Sequence, residues 1–182
     1  MALLKGQERF FDDVEFRPVR RFNRLLFRLV YSTGIRVNEL VGIKVKDLSL
    51  TAPCTLLVHG KGQKSRFVPL NGKVVQIMKQ YLSAMHYDDS VHLDDWLFIN
   101  HMGKQFTRQG ICYLVQKYAD KAREINPELI PPDMSPHKMR HSAAMGLVAS
   151  GVDLIYIRDL LGHTSVKTTE VYASIPMMMS RW

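Results

Sequence analysis

A histidine and an arginine stand three positions apart in the stretch SPHKMRHSAA, residues 135–144. Ser135 followed by proline is typical of a helix start, because serine caps free N–H groups and proline lacks the N–H that would go unpaired there. On such a helix His137 and Arg140 share one face. With the N–H groups of the first turn they could bind a phosphate oxygen, or they could be an ordinary polar surface. The rest of the chain must decide between the two interpretations.

Further residues suited to phosphate chemistry occur in three short stretches. These stretches are TGIRVNEL with Arg36 and Glu39, HGKGQKSRFVPL with Lys61 between two glycines, and LLGHTSVKTTEVYA with His163 and Tyr172. Arginine neutralises phosphate charge with a fixed fork of donors and does not lose its proton. A tyrosine, with an ordinary pKa near 10, needs a base or nearby cations before it can attack phosphorus.

In this order and spacing, the motifs resemble the catalytic set of the tyrosine recombinases, the phage-integrase and Xer-like family. The resemblance runs from about Phe22 to Tyr172. It implies an α+β, predominantly helical catalytic domain with a small antiparallel β-sheet, the fold of DNA breaking-rejoining enzymes. It also implies metal-independent cutting and rejoining of DNA through a covalent 3′-phosphotyrosine intermediate, with no cofactor, because the phosphotyrosine link stores the energy of the broken bond.

Each step of that chemistry has a candidate residue. Arg36 and Arg140 would neutralise the charge on the nonbridging oxygens. His137 would accept the tyrosine proton, and Lys61 would give a proton to the departing 5′ oxygen, with Lys64 as the rival in the same loop.

The remaining candidates support this set. Tyr172 would be the nucleophile, His163 would donate a hydrogen bond to a phosphate oxygen, and Glu39 would orient Arg36 or a neighbouring group. His141 is interpreted as a helix-packing histidine. Four further basic residues are predicted to contact DNA phosphates: Lys64, Arg66, Arg20 and Arg24.

Three function classes remain open. The first is a recombinase or integrase serving a mobile element or a chromosomal site. The second is a type IB topoisomerase-like enzyme, which relaxes DNA without exchanging partners; the Gly-Lys-Gly hairpin and the short length resemble the Xer-like pattern more. The third is an inactive DNA-binding module, against which the intact set of catalytic residue types argues. Taken singly, each residue also has an ordinary structural explanation, such as a surface ion pair between Arg36 and Glu39.

Composition favours a nucleic-acid partner. The chain of 182 residues has 25 Lys and Arg against 17 Asp and Glu, a net charge of +8. Such an excess favours polyanions. Cys54 and Cys112 lack the spacing of a zinc site or a disulfide framework, and no carboxylate cluster suggests magnesium. No membrane span or signal peptide is recognised, so we expect a cytoplasmic, nucleoid-associated protein with no membrane partner.

Helices and one hairpin must position the candidate residues. Apolar residues at helical spacing predict a helix from about Phe22 that ends at Thr33-Gly34, then a short helix around residues 37–41. The stretch TLLVHGKGQKSRFVPL predicts a β-hairpin with strands at 55–59 and 66–70. DDWLFIN predicts a short strand. Three later helices are predicted to begin after the capping residues Asn71, Thr107 and Ser135, and a further helix is predicted over 153–161, ended by Gly162.

One domain over residues 1–182 is predicted. Members of the family usually carry an N-terminal helical domain that grips the other side of the DNA, and this chain begins a short distance before Arg36. We therefore expect a catalytic domain without that core-binding domain. The partners expected are double-stranded DNA and other recombinase protomers assembled on it, contacted through the apolar tail SIPMMMSRW.

Overall fold

The computed structural model describes residues 17–60, 62, 64–87 and 90–162. In these ranges a three-stranded antiparallel sheet is formed by β1 (Leu48–Ser49), β2 (Thr55–His59) and β3 (Ser65–Pro69). The helices are α1 (Arg17–Thr33), α2 (Val37–Val41), α3 (Gly72–Ala84), α4 (Arg108–Ile125), α5 (Pro136–Ala149) and α6 (Leu154–Leu161). Short 3₁₀ turns occupy Val45–Asp47 and Ser90–His92. The prediction of a mostly helical α+β fold is confirmed.

Helix α1 supplies the centre of the core. Its apolar face is fully buried at Leu25, Leu26 and Leu29, and it packs against both α3 and α5. Burying a leucine side chain contributes on the order of 2 kcal/mol. The helix ends as predicted, since the Thr33 hydroxyl donates to the Leu29 carbonyl at 2.6 Å and Gly34 takes a positive φ of +60°.

The hairpin carries its apolar residues on one face. Leu56, Val58 and Val68 are almost fully buried, and β2 pairs with β3 from Thr55↔Pro69 to His59↔Ser65. The predicted second strand, 66–70, is therefore one residue late. Side chains alternate between faces along a strand, so the register decides which of them reach the core.

Local capping signals give the helix starts. The three predicted caps each accept a backbone N–H one turn ahead: Asn71 at 3.0 Å, Thr107 at 3.0 Å and Ser135 at 3.3 Å. Asp153, predicted as the first residue of its helix, is instead the cap of α6 and accepts the Ile155 N–H at 2.7 Å. Helix α6 ends, as predicted, at Gly162 with φ +63°.

The strand predicted in DDWLFIN is wrong. Trp96 makes a single bridge with Lys44, and Ile99 makes another with Gln105. Between them Leu97 and Phe98 are both fully buried. The apolar run thus reflects burial of an irregular segment rather than pairing in a sheet.

Across the described ranges, no helix combines the length and apolar character needed to cross a membrane.

Candidate active site

The carboxyl end of α6 is the meeting point of segments that are distant in sequence. Three guanidinium groups donate to its last carbonyl oxygens: Arg66 to Leu160 at 2.8 Å, Arg140 to Leu161 at 2.7 Å, and Arg36 to Leu161 at 3.2 Å and to Gly162 at 3.1 Å. A helix carries partial negative charge at this end, which favours cations there. The three arginines therefore lie close together at one point of the fold.

Arg140 is the most buried of the three, at 5% exposure. It lies on α5, and its guanidinium also donates to the carbonyl oxygen of Gly34. A Cβ on Gly34 would lie only 2.4 Å from Leu161 Cδ2. The close approach of the Gly34 turn to α6 thus requires glycine, and it fixes Arg140 between them.

Arg36 caps the start of α2, and its side chain is 44% exposed. Its guanidinium donates to Glu39 Oε1 at 3.2 Å, and its backbone N–H donates to Glu39 Oε2 at 2.9 Å. The contact expected between Glu39 and Arg36 is present. The exposed fraction leaves Arg36 accessible to a ligand.

Glu39 is a buried carboxylate with every oxygen occupied. Its side chain is 5% exposed, and Arg66 donates to Oε1 at 2.9 Å and to Oε2 at 3.0 Å. Burial by itself would raise the pKa of Glu39, but the hydrogen bonds from Arg66 and the Arg36 backbone outweigh it and hold the pKa below its ordinary value. The carboxylate stays ionised between the two arginines.

Arg66 lies inside the site, where a surface contact to DNA phosphate was expected from the sequence. Its side chain is 16% exposed, and its guanidinium is bonded to Glu39 and Leu160. The alternation of β3 contains the signal, since Arg66 shares a face with the buried Val68 two residues later. Sequence reasoning missed this internal position.

A second set of hydrogen bonds closes the hairpin near its loop. His59 Nε2 lies 3.1 Å from Asp47 Oδ1, and His59 Nδ1 lies 3.0 Å from Ser65 Oγ. The Gly60 N–H donates to the Lys64 carbonyl at 2.7 Å. These hydrogen bonds fix the two ends of the loop between residues 60 and 64.

The other predicted residues vary in placement. His137 is exposed one turn before Arg140 on α5, and Lys64 and Arg24 are exposed as well. His141 is exposed, so its interpretation as a packing histidine is wrong. Lys61, His163, Tyr172 and the side chain of Arg20 lie outside the described residues. Within the described ranges no group of three or more His, Cys, Asp or Glu is placed to hold a metal ion.

Comparison with known proteins decides the family. The model of the phage integrase family matches residues 7–177. The chain belongs to the phage integrase family of tyrosine recombinases. The resemblance expected from the motifs is confirmed.

Several relatives show how far the similarity extends. The chain is 34% identical over 163 residues to tyrosine recombinase XerC of Halalkalibacterium halodurans, covering 87% of this chain and 52% of that protein. It is 35% identical over 158 residues to tyrosine recombinase XerD of Corynebacterium glutamicum, covering 87% and 50%. The chain thus spans about half the length of the curated relatives it matches.

Solved structures of integrase-family proteins share the fold. The structure of XerH site-specific recombinase bound to a palindromic difH substrate, a post-cleavage complex, superimposes with a TM-score of 0.76 at 30% identity, covering 94% of this chain and 46% of that one. XerA recombinase gives a TM-score of 0.75 at 24% identity, covering 97% and 56%. The catalytic-domain fold predicted from the resemblance is confirmed.

Proposed function

We propose that this chain is the catalytic domain of a site-specific DNA recombinase that cuts and rejoins strands through Tyr172. One observation carries the proposal: Arg36 and Arg140, from distant segments, donate to the same carbonyl oxygen of Leu161. Two guanidinium groups that meet at one oxygen can also hold the two nonbridging oxygens of one phosphate.

The proposed reaction has two steps, strand cleavage and strand rejoining. Tyr172 Oη forms a bond to phosphorus while the bond from phosphorus to the 5′ oxygen breaks, leaving a 3′-phosphotyrosine. His137 accepts the tyrosine proton, and Lys61 donates a proton to the departing oxygen. Rejoining reverses these transfers with a 5′ hydroxyl as the nucleophile, and it needs no ATP because one phosphodiester replaces another.

The positions of the described candidates support these roles. His137 is exposed on α5, one turn from Arg140, so a DNA strand can reach its side chain. Lys64 and Arg24 are exposed and can contact phosphates along the duplex, and their binding would weaken with salt. His163, which lies outside the described residues, is proposed to donate a hydrogen bond to the same phosphate.

The proposed partners are double-stranded DNA and further protomers assembled on it. XerH was solved bound to its difH substrate, and the Tn1549 transposon integrase in complex with transposon right end DNA. For this chain we propose a duplex as substrate, at the nucleoid, with the tail SIPMMMSRW contacting a neighbouring protomer. Arg20 and Arg24 on α1 would add phosphate contacts.

A covalent-adduct assay tests the proposal. A pool of nicked duplexes with random half-sites is incubated with the chain, and protein–DNA adducts that resist SDS are collected and sequenced. Wild type is expected to form adducts, and Tyr172→Phe to form none, because phenylalanine lacks the attacking oxygen. Tyr113→Phe is the control, since Tyr113 is an exposed tyrosine on α4 at 68% exposure.

Two results would overturn the proposal. One is the absence of any wild-type adduct, and the other is adduct formation by Tyr172→Phe equal to that of wild type. Transfer of the bound strand to a second duplex separates a recombinase from a topoisomerase-like enzyme, which would relax a supercoiled plasmid but return the strand to its own duplex.

A further inference from the structure

Arg66 joins three elements of the fold, β3, α2 and α6, through its guanidinium group. From β3 it donates twice to Glu39 on α2, at 2.9 and 3.0 Å, and once to the Leu160 carbonyl of α6, at 2.8 Å. Each bond uses a different guanidinium nitrogen. Only a planar fork of fixed geometry can satisfy both carboxylate oxygens and a carbonyl at once.

The same guanidinium supports the turn that follows α6. A Cβ on Gly162 would lie 2.8 Å from Arg66 Nη1 and 3.0 Å from its Cζ. The backbone of Gly162 therefore packs directly on the guanidinium, in a left-handed conformation with φ +63°. The Gly162 carbonyl, held in this way, accepts the bond from Arg36 at 3.1 Å.

We propose that Arg66 is a positioning residue, which fixes Arg36 through Glu39 and through the end of α6. The inference rests on the proposed function, in which Arg36 binds the phosphate. Arg66 reaches Arg36 by two routes: Glu39 Oε1 accepts from both guanidinium groups, and the consecutive carbonyls of residues 160–162 accept from both. Its own contact with phosphate is not needed.

The geometry distinguishes this role from the DNA-phosphate contact predicted from the sequence. The Arg66 side chain is 16% exposed, whereas that of Arg36 is 44% exposed. All three guanidinium nitrogens of Arg66 are bonded to protein groups. Arg66 is thus placed to hold protein groups, and Arg36 is placed to receive the ligand.

The test compares Arg66→Lys with Arg123→Lys. Arg123 is a matched arginine on α4: its side chain is 26% exposed, and it binds the Asp120 carboxylate at 2.8 Å and the Ile130 and Pro131 carbonyls. Both variants keep the positive charge but replace the planar guanidinium, which can bind two acceptors in a fixed geometry, with a flexible ammonium group. Single-turnover adduct formation, the Kd for a duplex from the adduct pool, and its salt dependence are measured for each.

We expect Arg66→Lys to slow adduct formation about 10- to 100-fold, because a small misplacement of a catalytic group has effects of this size. The Kd and salt slope should stay as in wild type, and Arg123→Lys should match wild type in rate. A duplex with a methylphosphonate at the cleaved position lacks the charge that Arg36 neutralises. On that duplex the deficit of Arg66→Lys should shrink to within about threefold.

Each opposing outcome has a distinct meaning. A wild-type rate for Arg66→Lys overturns the positioning role while the proposed function stands. A weaker Kd with a salt slope lower by about one indicates a direct phosphate contact and also overturns it. A deficit that persists on the methylphosphonate, or that Arg123→Lys shares, does not act through Arg36 and overturns the positioning role.

A measurement without DNA keeps the inference separate from the proposed function. Absence of any wild-type adduct would overturn that function, and ¹⁵N NMR of the Arg36 guanidinium then decides the positioning claim. We expect faster rotation about the Arg36 Cζ–Nε bond in Arg66→Lys than in wild type or Arg123→Lys. An unchanged rotation rate overturns the claim.

Discussion

Two carboxylates of this molecule each pair with two basic side chains, and they differ in burial. Glu39 is 5% exposed and is held by forked guanidinium groups, whereas Asp94 is 74% exposed and pairs with Lys44 at 3.4 Å and Lys46 at 2.6 Å. Water competes for the bonds of Asp94, and flexible ammonium groups impose no fixed direction. The number of ion pairs therefore does not fix the geometry of a site; burial and bidentate donors do.

Substitution of Glu39 should have the largest effect. Glu39→Gln removes the buried charge and turns amide hydrogens towards an arginine donor, leaving the guanidinium groups of Arg66 and Arg36 without their anion. We expect the free energy of unfolding to fall by about 3–5 kcal/mol, as when a buried pair loses one partner. Chemical denaturation checks this value, and adduct formation should fall at least about 100-fold. A loss below about 1 kcal/mol would show that burial adds nothing to the pairing.

Packing against Arg66 should have the next largest effect. Gly162→Ala places a Cβ 2.8 Å from Arg66 Nη1, whereas Gly151→Ala meets nothing within 4 Å, and both glycines have positive φ, +63° and +76°. Both variants should lose about 1–2 kcal/mol from the backbone strain. Gly162→Ala should lose about 1–3 kcal/mol more from overpacking, measured by denaturant unfolding. Equal losses of unfolding free energy in the two variants would mean that the Arg66 side chain moves away from the added methyl group without cost.

Acid should weaken the buried cluster. The pKa of Glu39 is held below its ordinary value of 4.5 in the folded protein, so its ionised form stabilises the fold fully above that value. This stabilisation is lost as the pH falls through the lowered pKa. Unfolding followed at pH 7 and then below 4.5 should show a steeper loss for wild type than for Glu39→Gln. Parallel pH profiles would contradict this.

Substitution of Asp94 should have the smallest effect. Asp94→Asn removes two exposed pairs, and water replaces them, so the Tm should stay within about 1 °C of wild type. Any shift should vanish at high salt, because exposed charges are screened. A change comparable to that of Glu39→Gln would remove the distinction between the two carboxylates.

Local signals predicted much of this fold. Caps such as Asn71 and Ser135 act within one turn of their own helix, and the apolar face of α1 follows a fixed period, so both can be read from neighbouring residues. The strand predicted in DDWLFIN failed because Leu97 and Phe98 are buried without a regular partner strand. A run of apolar residues therefore indicates that the segment is buried, but it does not indicate that the segment pairs with another strand in a sheet.

The site was predictable in part for the same reason. The contact of Arg36 with Glu39 spans three positions and could be expected from the sequence. The contact of Arg66 with Glu39 spans 27 positions, and its bond to Leu160 spans 94. The exposed position of His141 also depends on how α5 packs, which its own neighbours do not specify.

The sequence by itself determined the residue types that suit phosphate chemistry, the helix boundaries near their caps, and the resemblance to the integrase family. Only the tertiary structure decided that Arg36, Arg66 and Arg140 meet at the end of α6. The physical reason is that they bind backbone carbonyls, at Gly34 and at residues 160–162. Every residue has a carbonyl, so no side-chain pattern marks which ones a distant arginine will reach.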